Sequence, residues 1–316
     1  MNYIKFFKDI DKNSVALAGG KGASLGEMSN SNFPIPDGFV VLSTAFEKFI
    51  TDSKIDKEIT KILSQVNTEN NNSVEKASKD IQKTILDSSL SKDLEQEILN
   101  SFKELNTEFV AVRSSATAED SASDAWAGQL DSFLNVKEKE LLLTVKKCFA
   151  SLFTERAIVY RIEKGLLDKH ISVAVVIQKM VNSEKSGIAF SVHPVTNDYS
   201  QMIIEAGYGL GEAIVSGQIT PDSYIVSKTH KILDKVQGSQ EKALYRTLEN
   251  QSGNIWKETT EEQKKKLVLA DKEIQELSRI LLNIEKHYGF PVDIEWAIEE
   301  SKIYIVQSRP ITTLKK

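Results

Sequence analysis

Asp293-Ile294-Glu295-Trp296-Ala297-Ile298, followed after Glu299–Lys302 by Ile303-Tyr304-Ile305-Val306-Gln307-Ser308-Arg309-Pro310, is the stretch of this 316-residue chain that says most about its fold. The first run alternates strictly, so Asp293 and Glu295 share one face of a strand while Ile294, Trp296 and Ile298 take the other. Two residues of strand rise separate the two carboxylates by roughly 7 Å. If the two runs pair as a hairpin in which the numbers of opposed residues sum to 602, Glu295 faces Gln307 and Asp293 faces Arg309. That register collects two carboxylates, an amide oxygen and a guanidinium on one side, with Trp296 and Val306 packed behind. Hard oxygen donors of this kind suit Mg2+, which takes one or two carboxylates and completes its shell with water and phosphate oxygens. A solvated Asp293–Arg309 salt bridge, worth about 0–1 kcal/mol, accounts for the same pattern without a metal.

Upstream of the hairpin, short runs of β-branched and aromatic residues predict further strands at Phe109–Val112, Val173–Ile177, Ile188–Val192, Met202–Glu205 and Tyr224–Val226. Apolar residues at three- and four-residue intervals predict helices within 44–66, 74–105, 137–164 and 260–288. Thr68-Glu69-Asn70-Asn71-Asn72-Ser73 reads as a polar loop between the first two. The expectation is an α+β chain in two parts. Residues 1–105 form a helical N-terminal portion that carries a glycine–lysine turn. Residues 106–316 form a mixed sheet-and-helix portion that carries a phosphate-type loop and the terminal hairpin.

Four further constellations carry possible chemistry. Gly19-Gly20-Lys21-Gly22 is read as a turn leading into a short helix over 23–29; free backbone N–H groups beside a mobile cation suit phosphate oxygens. It is not a Walker A loop, because Val15 stands where the first glycine belongs and Gly22 follows the lysine. Val112-Arg113-Ser114-Ser115-Ala116-Thr117-Ala118-Glu119-Asp120-Ser121 delivers an arginine from an apolar strand into small hydroxyl residues, a set that can converge on oxyanions. An exposed loop whose arginine pairs with Glu119 or Asp120 explains it equally. Gln178-Lys179-Met180-Val181 ends a strongly apolar strand, and Ser183 to Gly187 read as a turn into the next one. Its edge can hold an adenine ring, or it can be an ordinary hairpin with Met180 in the core. Glu205-Ala206-Gly207-Tyr208-Gly209-Leu210-Gly211-Glu212, which leads to Pro221-Asp222, has glycines at alternate positions that let a backbone come close to a ligand or to another segment. Its spacing misses the dinucleotide fingerprint.

Composition narrows the classes. With 40 basic and 45 acidic residues the net charge is −5, which argues against general nucleic-acid affinity. The one cysteine, Cys148, excludes an internal disulfide framework, and the scattered His170, His193, His230 and His287 show no metal-ligand spacing. The absence of an 18-residue apolar run and the early charges of the N-terminus predict neither a membrane span nor a signal peptide, and hence a cytoplasmic protein.

Taken together, Gly19-Gly20-Lys21-Gly22-Ala23-Ser24-Leu25-Gly26-Glu27-Met28, Val112 through Asp120, Ala127-Gly128-Gln129, Asp293-Ile294-Glu295-Trp296 and Gln307-Ser308-Arg309-Pro310 resemble the nucleotide-binding part of phosphoenolpyruvate synthase, rifampicin phosphotransferase and their relatives, the PEP-utilising dikinases. The resemblance covers essentially the whole chain, with the motifs in family order. It implies an ATP-grasp fold with ATP between two lobes of mixed sheet and helix. It also implies a reaction that passes the terminal pyrophosphoryl group of ATP to a histidine on a separate domain, leaving AMP. Water then removes one phosphate, and the other goes to an acceptor such as pyruvate or an antibiotic. By this resemblance Lys21 and Arg113 hold the transferring phosphates, helped by Ser114, Ser115 and Thr117. Glu295 and Gln307 bind Mg2+ with Asp293 in support, and Arg309 stabilises phosphoryl charge. Met180 and nearby backbone meet the adenine, Gln178 and Gly187 belong to the nucleotide-binding set, and Glu205 contacts ribose or phosphate. None of the four histidines has the threonine- and glycine-rich surroundings of the family's phosphohistidine. The implied partners are therefore a histidine-bearing domain and an acceptor-binding domain. A nucleotide-binding regulatory module and a stand-alone ATP-grasp ligase that releases ADP are the alternatives.

Overall fold

Period-2 and period-3.6 stretches separate into two compact units, Met1–Glu27 with Asp37–Met180, and Met28–Pro36 with Val181–Lys316. The structure, a computed structural model, describes residues 2–67, 70–117, 131–166, 171–247, 252–312 and 314. The stretches Ala118–Ser121 and Ala127–Gln129, which belong to the predicted phosphate loop and its motifs, lie outside the described residues, as does His170.

In the first unit, β1 (Ile4–Phe6), β2 (Gly38–Val41), β3 (Val110–Ala116), β4 (Ser132–Val136) and β5 (Val173–Lys179) form an antiparallel sheet in the order β1-β2-β5-β3-β4 among the described residues. Around it are α1 (Val15–Asn30, whose last turn belongs to the second unit), α2 (Ser43–Asp52), α3 (Asp56–Ser64), α4 (Asn71–Asp87), α5 (Lys92–Glu104), α6 (Glu138–Ala150) and α7 (Glu155–Glu163). One sheet face, with Phe39, Val41, Val112, Val175 and Ile177, packs into a core with Phe46, Phe49, Ile98, Leu141 and Phe149. Apolar burial of this kind contributes about 25 cal/mol per Å2 and dominates the unit's stability.

The second unit has β6 (Lys185–Phe190), β7 (Gln201–Tyr208), α8 (Glu212–Val215), β8 (Asp222–Ser227), β9 (Ile232–Val236), β10 (Lys242–Arg246), β11 (Asn254–Glu258), α9 (Glu261–Lys264), α10 (Asp271–Tyr288), β12 (Val292–Glu299) and β13 (Lys302–Pro310). Its main sheet is antiparallel in the order β13-β12-β6-β7-β8-β9, and β10 and β11 pair separately. Ile274, Leu277, Leu281 and Ile284 form the buried stripe of α10, which lies against β7, β9 and β12. Lys185 on β6 holds both oxygens of Glu273 on that helix at 2.8 Å. No described helix is long and apolar enough to cross a membrane.

The α+β class is as expected, and several local expectations are corrected. The boundary at 105/106 falls inside the first unit, because β2 from the helical portion pairs with β5, which in turn pairs with β3. β5 and β6 are not a hairpin: they lie in different sheets, and the chain passes from one unit to the other at Met180–Val181. Ser186 and Gly187 lie within β6 rather than in a turn. The tail of the Asn-rich loop is the start of α4, because the Asn70 side chain accepts the Asn72 N–H and caps the helix.

Candidate functional site

The terminal hairpin adopts the expected register, with Asp293 opposite Arg309 and Glu295 opposite Gln307. Beyond Glu295 the pairing shifts by one residue, so Trp296 faces Ile305 and Val306 is the extra residue of a bulge. The expectation that Val306 packs with Trp296 is thereby corrected. The bulge has a clear physical cause: in an unbroken strand Ile303, Ile305, Gln307 and Arg309 all share a face. The inserted residue sends Ile303 and Ile305 to the buried side with Trp296, and leaves Gln307 and Arg309 on the side of Glu295.

β12 also pairs with β6, and the row continues Gln307, Glu295, Ile188, Glu205, Ser223 across five strands. Directly paired residues share a face, so Glu205 stands on the face of Glu295, two strands away, at about 10 Å by strand spacing. The next row is Arg309, Asp293, Phe190, Ile203, Ile225. Glu205 is half-buried, and loss of water around it raises its carboxyl above the ordinary range. A partly desolvated carboxylate in a polar row marks a candidate site. Arg309 donates from Nε to Asp293 Oδ1 at 3.2 Å and from Nη2 to Oδ2 at 3.4 Å.

Glu295 and Gln307 are hard oxygen donors placed directly opposite one another, which fits Mg2+. The described residues contain no group of three or more His, Cys, Asp or Glu side chains able to hold a metal.

In the first unit, the predicted turn is a break within one helical stretch. α1 runs through 15–30, and Gly19 interrupts it with φ +68° and ψ 173°. A Cβ at Gly19 would overlap the side chain and carbonyl of Ser115, so only glycine allows α1 to lie this close to β3. The Gly22 N–H donates to Ser115 Oγ at 3.3 Å, which fixes the turn of helix that carries Lys21. Arg113 and Ser115 share this face of β3, and Arg113 is buried.

Four residues expected to meet the nucleotide have partners or close contacts within the protein. Ser114 points to the opposite face from Arg113 and bonds within the core, to the Cys148 carbonyl at 3.3 Å and to Ser151 Oγ at 2.8 Å. The same surroundings push the Cys148 thiol up to about 12 by desolvation. Ser115 holds α1, and Thr117 Oγ1 donates to the Ser172 carbonyl at 3.1 Å. Gly187 lies on the Trp296 side of its sheet, where a Cβ would come within 2.8 Å of the indole and overlap the Glu205 carbonyl. Gln178 is buried on β5 beside Ala111 and Gly38, and Met180 is half-buried with its N–H on the Phe109 carbonyl. Sequence reading missed one participant, Asp222. Its buried carboxylate accepts from Gly238 N, Gln240 Nε2, Tyr224 Oη and Val268 N, locking the strand next to Glu205. The Pro221-Asp222 step was the only sequence signal.

The profile of the family described as pyruvate phosphate dikinase, AMP/ATP-binding domain, matches residues 15–316. The chain belongs to that family. Nucleotide binding is the function by which the family is described. A probable phosphoenolpyruvate synthase of Methanocaldococcus jannaschii is 43% identical to this AMP/ATP-binding domain over 100% of the chain and 27% of its own length. A second, of Archaeoglobus fulgidus, is 44% identical over 99% of the chain and 42% of its length. The rifampicin phosphotransferase of Bacillus cereus is 39% identical over 99% and 36% respectively. The domain thus spans less than half the length of these curated relatives. Among solved structures, the D-alanine–D-alanine ligase of Helicobacter pylori overlaps 76% of this chain and 54% of its own at a TM-score of 0.33 and 12% identity.

Proposed function

We propose that this chain is the ATP·Mg2+-binding part of a dikinase of the ATP-grasp type, which passes a pyrophosphoryl group to a histidine on a further domain or partner chain. The observation that carries the reading is the row Gln307–Glu295–Ile188–Glu205 with Arg309 in the row beside it. Glu295 and Gln307 hold the ion, which when bound neutralises charge on phosphate oxygens. Arg309, Lys21 and Arg113 meet the charge of the polyphosphate, since phosphoryl transfer asks mainly for positioning and charge stabilisation. Glu205 accepts from the ribose hydroxyls, a role suited to a half-desolvated acceptor. Met180, with Gln178 and neighbouring backbone, borders the adenine. In the transfer a histidine nitrogen bonds to the β-phosphorus as its bond to the α,β-bridging oxygen breaks, and AMP leaves with that oxygen. The histidine and the final acceptor belong to further domains, and the supply of ATP puts the reaction in the cytoplasm.

The test is nucleotide analysis after incubating the chain with ATP, Mg2+ and the remainder of the Methanocaldococcus jannaschii phosphoenolpyruvate synthase. AMP with acid-labile phosphohistidine on the added polypeptide is the expected result. ADP with an amide or ester product supports a ligase, and binding without turnover supports a regulatory module. Glu295→Ala is expected to abolish Mg2+-dependent ATP binding by calorimetry, a loss of about 1.5–3 kcal/mol or more; unchanged Mg2+ dependence rejects the metal assignment.

A further inference from the structure

We infer that Asp293 is a positioning residue for Arg309 and not a ligand of the metal. The inference rests on the proposed function for its metal and nucleotide, and on the hairpin geometry for the pair itself. Three observations support it. Both Asp293 oxygens accept from one guanidinium, Oδ1 from Nε at 3.2 Å and Oδ2 from Nη2 at 3.4 Å, a two-point grip that fixes the plane of the fork. Along β12 Asp293 stands roughly 7 Å from Glu295, whereas directly opposed pairs such as Glu295 and Gln307 have Cβ atoms about 5 Å apart. Neighbouring ligands of an ion with bonds of about 2.1 Å must converge to about 3 Å. The longer Glu295 and Gln307 side chains can do this across the ladder, and the short Asp293 side chain is committed elsewhere. On its other side Asp293 is paired with Phe190 and, one strand further, Ile203. Apolar neighbours leave the carboxylate partly screened from water, so its charge is directed to Arg309. The grip occupies the Nε and Nη2 donors of the guanidinium.

Asp293→Asn, Glu295→Gln and Arg309→Ala separate the roles. With Mn2+ in place of Mg2+, electron paramagnetic resonance titration with ATP is expected to give Asp293→Asn an ion affinity within about twofold of wild type. Glu295→Gln is expected to lose about tenfold or more. Asp293→Asn is expected to weaken ATP binding about tenfold while leaving adenosine unaffected, and Asp293→Asn/Arg309→Ala to be no weaker than Arg309→Ala alone. Loss of Mn2+ affinity in Asp293→Asn equal to that in Glu295→Gln overturns the inference, as do independent effects of the two substitutions. A readout without nucleotide covers the case in which wild type binds no ATP, which sinks the functional reading instead. The Arg309 Nε proton, followed by NMR, should exchange slowly in wild type and quickly in Asp293→Asn; equal rates overturn the pairing role.

Discussion

In β3 and the residue after it, Ser114, Ser115 and Thr117 each spend a hydroxyl on the protein itself, on Cys148 and Ser151, on Gly22, and on Ser172. In β12 and β13, Asp293, Glu295, Gln307 and Arg309 share one face, with Gln307 buried and the three charged residues partly exposed. Both stretches look equally polar as sequence. A hydroxyl is small and can be satisfied by a nearby carbonyl, so it enters a core at little cost. A carboxylate or guanidinium is far costlier to bury and needs a full set of partners, as the four donors around Asp222 show; without one it stays accessible. Hydroxyl-rich runs are therefore poor evidence for a phosphate contact, and opposed charged side chains in a known register are better evidence.

The contrast can be broken most severely at Gly19. Gly19→Ala must place a side chain at φ +68° against Ser115, and about 3 kcal/mol or more of stability is expected to be lost in urea unfolding. A loss below about 1 kcal/mol would mean that α1 does not need its close approach to β3. Arg113 is the residue of β3 that behaves like the hairpin's charged set. Arg113→Ala is expected to weaken triphosphate binding by about 1.5–3 kcal/mol and adenosine binding far less. Equal losses for both ligands would place Arg113 with the internal hydroxyls. Ser114→Ala should cost about 1 kcal/mol of stability and leave ATP affinity unchanged, and a fall in affinity at constant stability would return Ser114 to the nucleotide set.

The smallest effect concerns Glu205, whose folded pKa lies above its ordinary value because of desolvation. A raised carboxyl pKa means that the folded state holds the proton more tightly than the unfolded state. Its stabilising contribution is complete below the unfolded value, near 4.5, and is lost as pH rises through the folded value. Glu205→Gln should therefore melt slightly higher than wild type at pH 7 and show no advantage at pH 4. The same melting difference at both pH values would mean that Glu205 is not desolvated.

Part of the hairpin's geometry is legible in the sequence. The alternation at 293–298 determines which residues of β12 share a face, a property of neighbouring residues. The turn pairs Glu299 with Lys302, and only the bulge at Val306 brings Glu295 opposite Gln307. The bulge at Val306 left a trace as well: the parity of Ile303 and Ile305 matches that of Gln307 and Arg309, and no single face suits all four. The division at 105/106 misses β2, Gly38–Val41, a four-residue strand too short to stand out in the sequence, whose place is set by β5 more than a hundred residues away. The Asp222 hub had little local signal because three of its four donors, Gly238, Gln240 and Val268, come from segments that only folding brings to it.

The sequence by itself determined the α+β class, the family motifs and the shared face of Asp293 and Glu295, since strand and helix periods are local consequences of backbone geometry. Only the tertiary structure decided that β5 and β6 part into separate sheets, that Ser114 turns into the core, and that Asp293 grips Arg309. Those outcomes depend on pairing between distant segments, where burial of residues such as Ile305 and Trp296 outweighs what any short stretch prefers alone.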